Sequence, residues 1–437
     1  MGLPCDDVVL VRHGLKAGEP AVITVNCPNK TGLGCDLCWI ILEFGLSINR
    51  GDIFTDGRWC YIVFWVVPQP GSFRPIRWSN LKTRLLSICP SCSVPIYYIP
   101  EAKPQKSSVY LLKFICSDRK GLLNGKFLSP TVYRSPFWRG DVTHVLTELE
   151  LMIHKVKVST APDGGVVDLF FITDCRELLH TKQRKEDTCA RLTEVLGESC
   201  QSCELQPAGP EYESYQHGFS SLPPVVADEL FCSDLSEAEI CSQTLVPDIL
   251  RLKKATLSID NSLSPAHTLL QIQCLDQKCL LYDIMRTLKD CGIKIAHGRF
   301  SSNPKGYCEL DLFIVQADGK KIVGPEKQES IFSRLRMEML YPLRLTIANR
   351  GPDTELLIAN PVELCGKGRP RVFYDVTLAL KALGICIFSA EIGRHSTSER
   401  QWEVYRFLLD DTREFPLSND RARHQIVDRV RRTLMGW

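Results

Sequence analysis

Three short stretches carry residues that can hold a small zwitterion: Asn29-Lys30-Thr31-Gly32-Leu33, Asp118-Arg119-Lys120-Gly121-Leu122-Leu123 and Asp276-Gln277-Lys278-Cys279-Leu280-Leu281. Each lies between a segment of strand-like alternation and a segment of helical period. A helix starting at such a loop directs backbone N–H groups and a partial positive charge into it, which suits a carboxylate. Gly32 and Gly121 would let a ligand come close to the backbone. The acid or amide at Asn29, Asp118 and Asp276 could meet an ammonium group, and Leu33, Leu122 and Leu280 would stand beside the ligand. The chemistry is capture of both ends of an amino-acid backbone. The same residues also fit a plainer role, in which Asp or Asn caps the helix and Gly makes the turn.

The elements that position these loops recur along the chain. The clearest copy, DQKCLLYDIMRTLKDCGIKI, runs from Asp276 to Ile295 as a tight loop, a helix and the start of a strand. Asp36 is followed nine positions later by Gly45, Asp283 by Gly292 and Asp375 by Gly384. A fourth copy starts at Asp141 and has Glu150 in place of the Gly. Each copy continues through a hairpin and a second helix, giving the order βαββαβ, a ferredoxin-like motif. The fold class expected is α+β, with four such units, each an antiparallel sheet with helices on one face.

The boundaries follow from composition and pattern. An N-terminal lead covers residues 1–20, repeat one 21–100, repeat two 109–207, repeat three 252–349 and repeat four 354–437. Residues 208–251, rich in Pro, Ser and acids, read as a linker, with a short helix around Ser236 to Ile240. The strand VPIYYI closes repeat one, PLRLTIA closes repeat three, and repeat four stops without a clear closing strand. In repeat two the loop Gly121 precedes the helix Asp141 by twenty residues rather than four, so residues 125–140 read as an insertion. That segment is either a lid-like loop or sequence retained from an intron. Exposed faces and strand edges must be covered. The units are therefore expected to pair within the chain, one with two and three with four, bridged by the linker.

Charge and cysteine usage narrow the function. Among 437 residues, 53 Lys and Arg balance 51 Asp and Glu, so no overall field favours nucleic acid or an anionic membrane. The longest apolar run, Tyr61 to Val67, is far short of the roughly 20 residues of a spanning helix. The cysteines number twenty, with CxxC pairs at Cys35/Cys38, Cys89/Cys92 and Cys200/Cys203, but none has the second half of a zinc-ribbon spacing. They read as small buried apolar residues. The βαββαβ order is shared by RNA-recognition modules, and KGYCELDL at Lys305 begins like their third-strand motif. Glu309 and Leu312 stand where stacking aromatics belong. No P-loop, GxGxxG after a strand, HExxH or GxSxG is present, so no catalytic activity and no cofactor or metal is expected.

Asp-Arg-Lys-Gly-Leu-Leu at Asp118 resembles the D-[RK]-x-G-L-L signature of ACT domains. Four copies without a catalytic domain resemble the plant ACT domain repeat proteins, over nearly the whole chain apart from the lead, linker and insertion. That resemblance implies a non-catalytic regulatory protein that binds a free amino acid around the Gly loop between paired domains and signals amino-acid or nitrogen status. It implies as alternatives a ligand-free interaction scaffold, and as partners a homodimer mate or a regulated enzyme. A cytoplasmic, and also nuclear, location is expected. Cys279 departs from the signature Gly, and Arg371 with Asn360-Pro361 upstream departs further, so repeat four reads as structural.

Overall fold

The computed structural model describes residues 8–69 (except 15 and 17), 76–90, 108–116, 142–160, 166–174, 177–197, 200–209, 222–231, 255–303, 306–362 (except 352), 364, 366–385, 387–397, 400–409, 417 and 419–436. The lead and repeat one supply β1 (Val9–Arg12), β2 (Ala21–Pro28), α1 (Leu33–Glu43), β3 (Leu46–Thr55), β4 (Trp59–Pro68) and α2 (Trp78–Ile88). Repeat two supplies β5 (Tyr110–Cys116), α3 (Val142–Glu148), β6 (Leu151–Thr160), β7 (Val166–Asp174), α4 (Lys182–Leu196) and β8 (Cys200–Pro207). After α5 (Pro224–Phe231) come β9 (Thr256–Asp260), β10 (Thr268–Leu275), α6 (Leu280–Asp290), β11 (Ile293–Ser302), β12 (Tyr307–Gln316) and α7 (Pro325–Leu340). The last elements are β13 (Arg344–Arg350), β14 (Asp353–Pro361), α8 (Val372–Ala382), β15 (Ile387–Ser396), β16 (Gln401–Leu409) and α9 (Asp420–Met435). The insertion 125–140, the strand VPIYYI and the helix expected around Ser236 to Ile240 lie outside the described residues.

The chain forms two compact units. One comprises Met1–Pro100, Asp234–Pro342 and Val362–Pro370, the other Glu101–Ser233, Leu343–Pro361 and Arg371–Trp437. In the first, eight strands form one antiparallel sheet in the order β1-β2-β4-β3-β11-β12-β10-β9. The alternation seen in the sequence sets its faces. Cys60, Ile62, Phe64 and Val66 of β4 are buried, as are Cys308, Leu310, Leu312 and Ile314 of β12, while Tyr61, Tyr307, Glu309 and Asp311 between them are exposed. The two halves join at β3 and β11, where Arg299 stands opposite Asp52. The Asp52 carboxylate there accepts from Arg299 Nε at 3.3 Å and from Arg50 Nη2 at 3.0 Å.

The second unit repeats the scheme with repeats two and four. Its sheets run β6-β7-β5-β8 and β13-β14-β16-β15. The edge strands β6 and β15 lie together, with Lys155 Nζ 3.6 Å from Glu391 Oε1. The helices α3 and α8 meet at Thr143 and Thr377, whose hydroxyls are 3.3 Å apart. Leu112, Phe114 and Phe170 of repeat two share one apolar cluster with Leu356, Ile358 and Phe407 of repeat four. The expected pairing of one with two and three with four is therefore corrected: repeat one pairs with three, and repeat two with four. Chain adjacency is a weak guide here, because a free strand edge offers the same backbone groups to any partner.

The edge beside each first strand is filled in an unexpected way. β1 pairs with β2, and β9 with β10, so the N-terminal lead and the segment before repeat three each supply an edge strand. PLRLTIA, expected to close repeat three, is β13, and it pairs with β14 in the sheet of repeat four. The edge of the repeat-four sheet is thus covered by a strand that precedes it. In repeat two alone, among the described strands, the edge is closed by a following strand, β8 on β5. The linker also contributes: Val226, Ala227, Leu230 and Phe231 of α5 pack against Leu357, Ala359, Trp402 and Val404, on the sheet face opposite α8 and α9.

Two local features recur in all four copies. The residue at the Gly45 position is left-handed in all four copies, with φ 75° at Gly45, 60° at Glu150, 68° at Gly292 and 69° at Gly384. In every copy the register of the next strand slips four residues later, at Asn49, His154, Ala296 and Phe388. These bulges bend the strands that form the seams.

The pairing yields a direct test. With an engineered protease site between residues 240 and 241, the cut chain should run as one species on non-denaturing chromatography, since each half of the chain shares a unit with the other. Separation into two half-chains would contradict the pairing of one with three.

Candidate functional site

The loops before α1 and α6 share a geometry. Asn29 N–H donates to Arg58 O at 2.8 Å, and Asp276 N–H donates to Gly306 O at 2.8 Å, so each loop is tied to its own hairpin turn. The residue before each helix is left-handed: Gly32 at φ 79°, Cys279 at 67°, and Arg371, which precedes α8, at 61°. Glycine adopts this conformation without strain, whereas a residue with a Cβ is held there at a cost of roughly 1–2 kcal/mol. The glycine of the motif is thus first a backbone requirement.

The capping role is not the one these side chains take. Neither α1 nor α6 receives a side-chain cap hydrogen bond. Asn29 Nδ2 instead donates to Gly57 O at 3.3 Å, and Asp276 lies beside the Cys308 thiol, which is raised first by burial and then by that carboxylate's charge and hydrogen bond. Leu33 and Leu280 are each 2% exposed and point into the core. Asp118, Gly121 and Leu122 lie outside the described residues.

What the structure adds is the opposing wall. Lys289, near the end of α6, reaches from repeat three over the loop of repeat one. A Cβ built on Gly32 would stand 2.7 Å from both Lys289 Cε and Nζ. On the neighbouring turn, a Cβ on Gly34 would collide with Met285 Cε, and Cys38 Sγ lies 3.7 Å from Met285 Sδ. Small residues on α1 therefore let α6 approach. The start of a helix and an ammonium group from the other repeat face one place, a combination suited to an anionic group.

The loop of repeat three is covered differently. Asp283, one turn into α6, is 0% exposed, and Arg369 Nε lies 3.0 Å from each of its carboxylate oxygens, with Nη2 donating as well. Burial pushes this carboxyl up, and the Arg369 guanidinium opposes the shift. Tyr282 O–H donates to Lys367 O at 2.8 Å and Gly368 O at 3.2 Å, and Trp39 Nε1–H donates to Gly368 O at 3.0 Å. Lys367 Nζ lies 4.6 Å from the Trp39 ring centre, a cation–π contact. Deeper in, Arg286 pairs with Glu338 at 2.5 Å and Asp290 at 3.5 Å, joining α6 to α7. Every residue from Leu280 to Leu288 is buried, so the polar face of this helix is covered too.

Sequence reading missed Trp39, Tyr282, Lys289 and Arg369 as site residues. Repeat four, which reads as structural in the sequence, carries Arg369 just before α8, and that arginine meets the aspartate of repeat three. A recurrent Asp on the first turn of a helix, at Asp36, Asp283 and Asp375, was the available signal. Its partners differ: Asp36 meets Lys30 at 3.7 Å near solvent, whereas Asp283 is sealed by Arg369.

Cysteines crowd the ends of the first strands. Cys27 and Cys60 are cross-strand partners with sulfurs 3.7 Å apart, and Cys274 faces Cys308 in the same register. Cys116 stands opposite Cys200 in repeat two. Among the described residues no group of three or more His, Cys, Asp or Glu is arranged to hold a metal ion, and no helix is long and apolar enough to cross a membrane.

Paired sheets built on a common βαββα core, with left-handed residues at the head of the first helix, define an ACT domain repeat architecture. Residues 256–353 match the family described as ACR9-like, ACT-like domain, residues 354–436 the C-terminal region of ACT domain-containing protein ACR9, and residues 11–90 the N-terminal region of ACT domain-containing protein ACR10. The chain is 60% identical over 438 residues to ACT domain-containing protein ACR9 of Arabidopsis thaliana, with 100% of each covered. It is 47% identical over 444 residues to ACR10 of the same plant, again covering 100% of each. Identity to its ACR5 is 22%, over 86% of this chain and 76% of that protein. The chain belongs to the plant family of ACT domain-containing ACR proteins.

Two substitutions test this geometry. Gly32→Ala should lower the unfolding free energy by about 1–2 kcal/mol through its left-handed backbone, measured by denaturant titration. Asp168 lies in repeat two at the place of Ile62 and Leu310, 1% exposed and with neither carboxylate oxygen hydrogen-bonded. Burial raises it from 3.8 to about 7. The folded chain then holds a proton that the unfolded chain releases, so this group makes stability fall as pH rises from about 4 to about 7. Asp168→Leu should stabilise the protein at neutral pH and flatten that slope; an unchanged slope would refute the assignment.

Proposed function

We propose that this chain is a non-catalytic regulatory protein whose repeats one and three bind a free amino acid at the Gly32 loop. The observation that carries the reading is the meeting of Gly32, at the start of α1, with Lys289 from the other repeat. The helix start and the lysine would take the ligand's carboxylate, and the close approach permitted by Gly32 would let its backbone in. Asp118, Gly121 and Leu122 would serve the same purpose in repeat two, and Asn29 and Asp276 would hold the loops in shape. Ligand occupancy would then report amino-acid or nitrogen status to a homodimer mate or a regulated enzyme, in the cytoplasm and the nucleus.

A second reading, a scaffold with ACT folds and no free ligand, is favoured by one observation: the third loop is already covered by Lys367–Arg369. A thermal-shift screen of the twenty amino acids separates the two. A ligand at 100 times its dissociation constant should stabilise the folded state by about 2.7 kcal/mol. Gly32→Val should abolish that shift beyond its own effect on stability. If no amino acid shifts the parent, the scaffold reading stands.

A further inference from the structure

The geometry points to a second, chemically distinct site in the first unit: Asp283, Tyr282 and Trp39 form a receptor for an arginine unit, and Arg369 of the same chain fills it as a built-in ligand. The three groups divide the recognition. The Asp283 carboxylate takes the guanidinium in a forked contact, with Nε at 3.0 Å from both oxygens. The Tyr282 hydroxyl and Trp39 indole N–H converge on one carbonyl, Gly368 O, at 3.2 and 3.0 Å. Two donors on the acyl oxygen that precedes an arginine, beside a carboxylate on its guanidinium, match an arginyl peptide, and free arginine shares the guanidinium contact. Lysine lacks the fork and meets such a site only as a point charge.

The occupant is a short graft on a mostly exposed loop. Gly368, Arg369 and Pro370 are buried, while Leu364, Gly366 and Lys367 are exposed. Gly366 is left-handed at φ 62°, a turn conformation that glycine adopts freely. The receptor side is rigid by contrast, because α6 is buried along its length and anchored through Arg286 to Glu338. A carboxylate at 0% exposure is stabilised by a cation, and removing Arg369 would leave Asp283 buried with its forked partner gone and only the Arg286 charge opposing its protonation. The vacated place should therefore accept arginine from solution. This inference does not depend on amino-acid binding at Gly32.

Chemical rescue tests it on the full chain. Arg369→Ala should lower the melting temperature. L-Arginine, or the acetylated and amidated peptide Lys-Gly-Arg-Pro, at millimolar concentration should raise it roughly half-way back or more. Rescue by the peptide alone identifies a peptide-borne arginine as the ligand, and rescue by both admits the free amino acid. L-Lysine should give no comparable shift, and the double variant Arg369→Ala with Asp283→Asn should not respond to either probe. The parent, already filled, should respond little. If Arg369→Ala does not fold, Arg369→Lys replaces it, read by hydrogen exchange of the α6 amides with and without L-arginine. An Arg369→Ala protein as stable as the parent, or one shifted equally by lysine and arginine, or not shifted by either arginine probe, overturns the proposal.

Discussion

A sheet with helices on one face has two free strand edges, and the architecture of this chain follows from how those edges are satisfied. On one side the second strand of each repeat meets its counterpart from another repeat. β3 joins β11 in a continuous antiparallel ladder, and β6 lies beside β15. The matching bulges at Asn49, Ala296, His154 and Phe388 curve these strands alike, so like edges fit each other. On these two strands Gly51 and Gly298 leave room for core side chains of their own hairpins: a Cβ on Gly298 would stand 2.7 Å from Leu312 Cδ2, and one on Gly51 3.1 Å from Phe64 Cδ1. The helices α1 and α6 are brought together by the same seam, and that contact creates the place where Lys289 faces Gly32.

On the other side the first strand needs a neighbour running antiparallel to it. Any segment of suitable pattern can serve, whether it comes before or after the repeat. β1, β9 and β13 precede the strands they cover, and β8 follows. The family match that ends at residue 353 includes β13, although this strand hydrogen-bonds in the sheet of repeat four. A boundary drawn along the chain and one drawn by hydrogen bonds therefore differ by one strand.

The loops show how one backbone scheme came to hold different chemistry. All three described loops use a left-handed residue before the helix, and the strain at Cys279 and Arg371 is borne by the surrounding packing. Cys279 is 7% exposed, under a segment whose guanidinium lies on Asp283. Arg371 lays its own guanidinium 4.8 Å from the Tyr374 ring centre. Glycine remains only at the first of these three, where the opposing group is the end of a flexible lysine.

Much of this was legible in the residues themselves. Helical and strand periods, the Asp-to-Gly spacing and the polar loops showed four ferredoxin-like copies with a common βαββα core, their faces, and the positions of Gly32 and Cys279 at helix starts. Those features are local, and side-chain patterning encodes them directly. The pairing of one with three, the reassignment of PLRLTIA and the edge role of the N-terminal lead were decided only in three dimensions. Strand edges recognise one another through backbone groups that every residue carries, so side-chain pattern does not name the partner. The contact of Arg369 with Asp283 was hidden for a related reason: the two residues are 86 positions apart, and only burial turned an ordinary helix aspartate into a group that a cation stabilises.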